Sequence, residues 1–140
     1  MTKDYALAGL RIGYAVGSEE LIGDLARVRP PWSVNSMAQV AAVAALRDEH
    51  YLTQSLENLA RAKTALVEGL AGLGLDAWPS ATHFFLVRVG DASAFRLVLL
   101  RKGILVRDAA SFGLPAFARL APRKPADNAQ LMTVLKEVSW

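Results

Sequence analysis

The chain has 140 residues, of which 53% are hydrophobic and 21% charged, with a formal net charge of +3 and no cysteine. This length favours a single domain, and the lack of cysteine excludes disulfides and thiolate metal sites and fits a reducing cytoplasm. No run approaches the ~20 apolar residues of a membrane helix, no apolar signal segment indicates export, and the scattered charges argue against a nucleic-acid partner.

The first third of the chain predicts one strand followed by two helices. The apolar run Leu10–Val16 favours a strand. Ser18, followed by two glutamates, is a typical helix N-cap, and Pro30–Pro31 ends that helix. Ser36 and Gln39 have the spacing of a capping box, which predicts a second helix through the alanine-rich run that follows.

The middle of the chain predicts a long amphipathic helix and a strand. Leucines recur there at steps of three and four residues or their multiples, which places them on one helix face; they are Leu52, Leu56, Leu59, Leu66 and Leu70. Lys63 interrupts this stripe, and Gly72 and Gly74 end the helix. The segment Phe84–Val89 is the strongest strand signal in the chain.

The last third alternates helices with short strands. Asp91 or Ser93 can cap a helix, and the segments Ile104–Val106 and Phe117–Leu120 are predicted strands. A final helix begins near Pro125, a residue type that is favoured in the first helical turn. Helices and strands therefore alternate to the end of the chain, which predicts a mixed α/β or α+β fold.

Lys3 and Arg11 are the residues whose chemistry is most informative. A lysine amine forms an imine with an aldehyde when its ammonium form is destabilised, and an arginine binds a phosphate through a bidentate fork. With glycines at positions 9 and 13, both side chains can converge on one ligand. An aldehyde and a phosphate on one ligand describe pyridoxal phosphate. From the spacing alone, Lys3 is also consistent with an ordinary solvated residue near the chain terminus.

The segment Thr2–Tyr14, TKDYALAGLRIGY, resembles the signature of fold-type I, pyridoxal-phosphate-dependent aminotransferases of class I and II. Within that class it is most similar to histidinol-phosphate aminotransferases and the related threonine-phosphate decarboxylases. The resemblance extends over essentially the whole chain, because further family-like segments follow in the family's order. These segments are Arg29–Asn35, Gly103–Asp108, Ala118–Leu120 and Pro125–Asn128.

This resemblance implies roles for four side chains. Lys3 would be the Schiff-base lysine that also moves a proton between the substrate α-carbon and the cofactor, and Arg11 would bind the cofactor phosphate. Arg119 would bind an anionic end of the substrate, and Arg107 would add a second arginine for a phosphorylated amine or amino acid. A 2-oxo acid would be the other substrate, and the enzyme a homodimer. Without the resemblance, both arginines read as surface residues that flank short strands.

The resemblance also implies a domain organisation. Residues 1–29 would be the tail of the large cofactor-binding domain, and residues 30–140 the small C-terminal domain, an α/β fold with a short mixed sheet covered by helices on one face. In the family, the phosphate loop and the aspartate that holds the pyridine nitrogen lie before the lysine in the sequence. Only two residues precede Lys3 here, so both elements are absent from these 140 residues and we expect the isolated chain to be inactive. His83 and the pair Arg123 and Lys124 depart from the family pattern, which leaves the subfamily open.

A non-catalytic function remains the alternative. The chain could be a fragment or assembly module that self-associates through exposed sheet and leucine residues without binding the cofactor. Nucleic-acid binding is disfavoured, because the basic residues of the last third fall on several elements without interleaved aromatic side chains.

Overall fold

Five α-helices and three short β-strands make up the chain, and the computed structural model describes all 140 residues. The helices are α1 (Glu19–Val28), α2 (Ser36–Arg47), α3 (Glu49–Ala71), α4 (Ala92–Arg101) and α5 (Pro125–Glu137); the strands are β1 (Phe85–Arg88), β2 (Arg107–Ala109) and β3 (Leu114–Leu120). Contacts divide the chain into two units, Met1–Ser55 and Leu56–Trp140, with the boundary inside α3. The domain boundary after residue 29 stays a prediction. None of the helices combines the length and apolar character needed to cross a membrane.

The two helices that lie entirely within the first unit, α1 and α2, each begin with a side-chain N-cap. Ser18 Oγ accepts a hydrogen bond of 3.3 Å from the Leu21 amide, as predicted for α1. Helix α2 is also present, but its N-cap is Asn35, whose Oδ1 lies 2.8 Å from the Ala38 amide. The predicted capping box at Ser36 is therefore wrong, because asparagine is an equally good cap and stands one residue earlier.

The segment Leu10–Val16 does not form the predicted strand. A short 3-10 turn covers Ala8–Leu10, Arg11 is left-handed with a φ of 52°, and residues 12–18 form no regular element. A strand needs a neighbouring strand to satisfy its backbone hydrogen bonds, and the first unit contains none. Apolar side chains of the segment stay in solvent as a result, and Val16 is 87% exposed.

The second unit is built on a three-stranded sheet with the order β1-β3-β2. Strand β3 pairs antiparallel with both neighbours, so that Phe85 lies opposite Leu120 and Arg107 lies opposite Arg119. The sheet is therefore antiparallel throughout and not mixed as predicted. Strands β1 and β2, which α4 connects, do run in the same direction, but β3 lies between them and they never pair directly.

Strand β2 begins later than predicted. The prediction placed a strand at Ile104–Val106, but the Ile104 amide donates a 2.9 Å hydrogen bond to the Leu99 carbonyl and closes the end of α4. Gly103, with a φ of 77°, makes the left-handed turn that this closure requires. The backbone of Ile104 thus serves the helix terminus, and pairing with β3 starts at Arg107.

One face of the sheet carries the core. Its buried residues alternate with outward-facing ones and are Phe85 and Val87 on β1 and Ala118 and Leu120 on β3. The same cluster includes Leu66 and Leu70 of α3, Phe95 and Leu99 of α4, and Leu131, Val134 and Leu135 of α5. The leucine stripe predicted for α3 is thus buried at its C-terminal end, whereas Leu56 is 54% exposed.

Two polar side chains hold the segments on either side of β1. The Nζ atom of Lys63 donates hydrogen bonds to the carbonyls of Ser80 and Thr82, the latter at 2.7 Å. The indole Nε1 of the C-terminal Trp140 donates a 2.8 Å hydrogen bond to the Val89 carbonyl. Lys63 interrupts the leucine stripe because its ammonium group binds the loop that leads into β1.

Leu99→Ala and Leu97→Ala form a matched pair on α4 that tests this core. Leu99 is fully buried, and Leu97 is 49% exposed. We expect Leu99→Ala to lower the free energy of unfolding by about 2–5 kcal/mol, because it leaves a cavity. Leu97→Ala should lower it by about 1 kcal/mol or less, since half of that side chain is already in water. Urea unfolding followed by circular dichroism measures both, and equal losses would contradict the packing.

Candidate functional site

The face of the sheet turned away from the core carries arginines and an aromatic ring. Because successive residues of a strand point to opposite faces, the residues between the buried ones project outward: Leu86 and Arg88 on β1, and Phe117 and Arg119 on β3. Arg107 of β2 lies opposite Arg119 and shares its face. These five residues define the open face of the sheet.

Arg107 and Arg119 are directly opposite each other on neighbouring antiparallel strands. Side chains at such positions start from β-carbons about 4.5–5.5 Å apart, and like charges placed there repel. Neither guanidinium forms an ion pair; the ion pairs of the chain are Arg27–Asp24, Arg96–Asp108 and Arg123–Asp127. Within the open face, Arg107 and Arg119 therefore hold two uncompensated positive charges side by side, an arrangement that a bound anion stabilises.

The carboxylate nearest in sequence to this pair, that of Asp108, points to the other side of the sheet. Asp108 follows Arg107 in β2 and lies opposite the buried Ala118. Its Oδ2 lies 3.9 Å from Nε of Arg96 on α4. The alternation of the strand thus directs the carboxylate towards a helix and leaves the charge of Arg107 free on the open face.

Each arginine of the pair lies over an aromatic ring. Cζ of Arg119 is 5.1 Å from the centroid of the Phe84 ring, and Cζ of Arg107 is 5.8 Å from that of Phe112, both within the range of a cation–π interaction. Arg107 Nη2 also donates a 3.1 Å hydrogen bond to Ser111 Oγ. Phe84, Phe112 and Ser111 are absent from the predicted site. The sequence does not give the strand register, and without the register it does not show which residues share a face with Arg119.

Lys3 lies in the N-terminal turn of the first unit. The turn is closed by backbone hydrogen bonds from Tyr5 to Met1 at 3.3 Å and from Ala6 to Lys3 at 3.4 Å. The Tyr5 ring stacks on that of Tyr51 in α3, with 6.1 Å between their centroids. The Lys3 side chain is exposed and forms no ion pair. Its amine is therefore accessible to an aldehyde.

Arg11 follows the short 3-10 turn of the same unit. Its Nη1 donates a 2.8 Å hydrogen bond to the Ala8 carbonyl, which leaves its other N–H groups free to bind an anion. An accessible amine and a guanidinium with free donors fit the aldehyde and the phosphate of the predicted cofactor. The structure places Lys3 and Arg11 in the first unit and Arg107 and Arg119 in the second. It brings the second pair together, whereas no hydrogen bond joins the side chains of the first pair.

The two departures from the family pattern have local roles. Arg123 pairs with Asp127 at 3.1 Å, and its amide donates a 2.9 Å hydrogen bond to Asn128 Oδ1, so that it fixes the start of α5. The exposed His83 packs edge-on against Phe84, with 5.3 Å between the ring centroids. Neither side chain forms a hydrogen bond or an ion pair with Arg107 or Arg119.

The family model for aminotransferase class I and II matches residues 1–135 of the chain. Histidinol-phosphate aminotransferase 2 of Ralstonia nicotianae is 42% identical over 139 residues, which cover 96% of this chain and 37% of the relative. The structure of L-threonine-O-3-phosphate decarboxylase from Porphyromonas gingivalis is similar with a TM-score of 0.85 and 31% identity, covering 97% of this chain and 44% of that one. Histidinol-phosphate aminotransferase from Sinorhizobium meliloti, solved in complex with pyridoxal-5'-phosphate, has a TM-score of 0.82 and 26% identity, covering 98% and 40%.

These similarities extend over nearly all of the chain and confirm its predicted fold class. The chain spans little more than a third of the length of the curated relatives it matches, at 37% for the Ralstonia enzyme. The relatives' remaining length has no counterpart among the 140 residues.

Proposed function

The chain belongs to the aminotransferase class I and II family, and from this we propose that it is the C-terminal part of a pyridoxal-phosphate-dependent aminotransferase. Its substrate is a phosphorylated amine or amino acid, its second substrate a 2-oxo acid, and its location the cytoplasm. The 42% identity to a histidinol-phosphate aminotransferase and the likeness to a threonine-phosphate decarboxylase both support a phosphorylated substrate.

The opposed arginines on the open face are the observation that carries this proposal. Arg107 and Arg119 face each other with no carboxylate between them. A guanidinium binds a phosphate through two parallel N–H donors, and a dianion balances two cations where a single carboxylate balances one. A substrate phosphate bound between the two side chains removes the repulsion that the sheet register imposes.

Lys3 and Arg11 are the residues that we propose for the cofactor. When bound, pyridoxal phosphate supplies an electron sink for the bonds at the substrate α-carbon. Lys3 would hold the aldehyde carbon of the cofactor through its amine and, once that amine is released, would move a proton at the substrate α-carbon. Arg11 would bind the cofactor phosphate through its free N–H groups. The accessible amine of Lys3 and the free donors of Arg11 support these roles.

We propose further that the 140 residues do not catalyse the reaction by themselves. The chain spans 37% of the length of the Ralstonia relative, and the family resemblance assigns the acid that holds the pyridine nitrogen to the remaining length. Without that acid the ring is a poor electron sink, even where Lys3 is attached to it.

Arg119→Gln tests the anion site, with Arg88→Gln as its matched control. Both arginines project from the open face, but Arg88 lies opposite Phe117 and not opposite a second cation. We expect Arg119→Gln to weaken the binding of inorganic phosphate about tenfold, because it removes a charged hydrogen-bond donor, and Arg88→Gln to leave it unchanged. Isothermal titration calorimetry at low salt measures both. An equal loss in the two variants would show diffuse electrostatic binding and refute the site.

Lys3→Ala tests the attachment of the cofactor. Pyridoxal phosphate is added to the chain, reduced onto its lysine with borohydride, and located by peptide mass spectrometry. We expect the label on Lys3 in the unsubstituted chain and in Lys124→Ala, and its loss in Lys3→Ala. Lys124 is the control because it is also exposed, whereas Lys63 is engaged by two carbonyls. Labelling spread evenly over the exposed lysines would overturn the role of Lys3.

Self-association is the second candidate function, and the exposed apolar side chains of α1 and α2 favour it. These residues are Leu21, Leu25, Val28, Met37, Val40, Val43 and Leu46. Val40 and Val43 also line a shallow depression on α2 together with Gln39, Ala44 and Arg47. Burial of such side chains against a second copy of the chain removes apolar surface from water, in line with the homodimer that the resemblance implies.

The double variant Val40→Asp, Val43→Asp tests this surface. We expect the unsubstituted chain to sediment as a dimer and the double variant as a monomer, because two carboxylates cannot be buried unpaired. Leu105→Asp is the control, since Leu105 is 72% exposed and lies in the other unit. Sedimentation equilibrium gives the masses, and a monomeric unsubstituted chain would rule out self-association.

A further inference from the structure

The rings beneath Arg107 and Arg119 belong to residues that contribute little or nothing to the core. Phe112 is 65% exposed, and Phe84 is half-buried. Neither belongs to the cluster of buried residues. Packing of the core therefore does not account for the position of either ring, and each ring lies against a guanidinium group instead.

The backbone after β2 is shaped so that Phe112 reaches Arg107. The register of β2 shifts between Asp108 and Ala109, and a single 3-10 turn, Ala110–Phe112, follows at once. Gly113, with a φ of 76°, then turns the chain into β3. This turn places the Ser111 hydroxyl 3.1 Å from Arg107 Nη2 and the Phe112 ring under the same guanidinium.

A guanidinium that lies over a ring has one of its faces covered, and its N–H donors remain in the plane at its edge. That edge is the part that binds a phosphate in the bidentate geometry. Long arginine side chains otherwise sample many rotamers, which a ligand has to restrict when it binds. Two opposed and uncompensated arginines also repel each other. The rings act against both effects, because each holds one cation in place by attraction to the face of its π system.

We propose that Phe84 and Phe112 are positioning residues that hold Arg119 and Arg107 with their N–H edges directed at one shared phosphate group. This inference rests on the proposed function, in which the arginine pair binds the phosphate of the substrate. Ser111 adds a fixed hydrogen bond on the Arg107 side and limits rotation of that guanidinium about its own axis.

The experiment measures the affinity of the 140-residue chain for inorganic phosphate in leucine and tyrosine variants of both phenylalanines. We expect Phe112→Leu and Phe84→Leu each to weaken binding about two- to fivefold, the range of one exposed cation–π contact. Phe112→Tyr and Phe84→Tyr restore it, because tyrosine keeps the ring. In nuclear magnetic resonance spectra, the Arg107 Hε signal should also lose its ring-current shift in Phe112→Leu and keep it in Phe112→Tyr.

Phe117→Leu is the matched control. Phe117 lies on the same open face, and its ring contacts Trp78 edge-on at 4.5 Å and not a guanidinium. We expect this variant to bind phosphate as tightly as the unsubstituted chain. Urea unfolding of every variant separates a loss of affinity from a loss of stability, and the exposed Phe112 allows the test to stand if Phe84→Leu fails to fold.

These outcomes distinguish failure of the positioning role of the two rings from failure of the anion site itself. Phosphate binding that is unchanged in both leucine variants overturns the positioning role and leaves the anion site intact. Weakened binding that tyrosine does not restore, or an equal loss in Phe117→Leu, assigns the rings to packing and overturns it as well. An unsubstituted chain that binds no phosphate overturns both proposals.

Discussion

The central position of β3 is the constraint on which the second unit depends. This strand pairs with β1 on one side and β2 on the other, and each pairing has a single register. A slip of one residue exchanges the two faces of a strand. It would move Ala118 out of the core and bring the charge of Arg119 into it. Burial of the apolar residues of β3 therefore also fixes which side of the sheet is cationic, so the core and the candidate site are specified by the same pairing.

The helices of this chain and its strands β1 and β3 are largely predictable from local signals, whereas the irregular Leu10–Val16 segment, the start of β2 and the side chains around the arginine pair are not. Ser18 and Asp91 accept hydrogen bonds at the starts of α1 and α4, and Pro125 begins α5, because caps act within a few residues. The apolar run at Leu10–Val16 is also a local signal, but a strand depends on a partner strand elsewhere in the chain. The segment has no such partner, and so it stays irregular. Phe112 lies near Arg107 only because of a register shift and a short turn, which no periodicity in the sequence reveals.

The two pairs of candidate site residues differ in the contacts that hold their backbone in place. Arg107 and Arg119 are anchored by strands whose other face is packed against helices. Lys3 and Arg11 stand in a segment held by a few turn-type hydrogen bonds and one stack of tyrosine rings. Local stability follows the number of buried contacts. The residues proposed for the substrate phosphate are thus held by strand pairing and a packed core, whereas those proposed for the cofactor are held by turn-type hydrogen bonds and one ring stack.

The three tryptophans are distributed so that each reports on a different environment. Trp32 of the first unit is 98% exposed, Trp78 lies against Phe117 on the open face, and Trp140 donates its indole hydrogen to Val89 beside the core. Indole emission depends on contact with water. The intrinsic fluorescence of the chain therefore combines contributions from the first unit, the open face and the C-terminal anchor, and single-tryptophan variants turn these into optical probes that need no added dye.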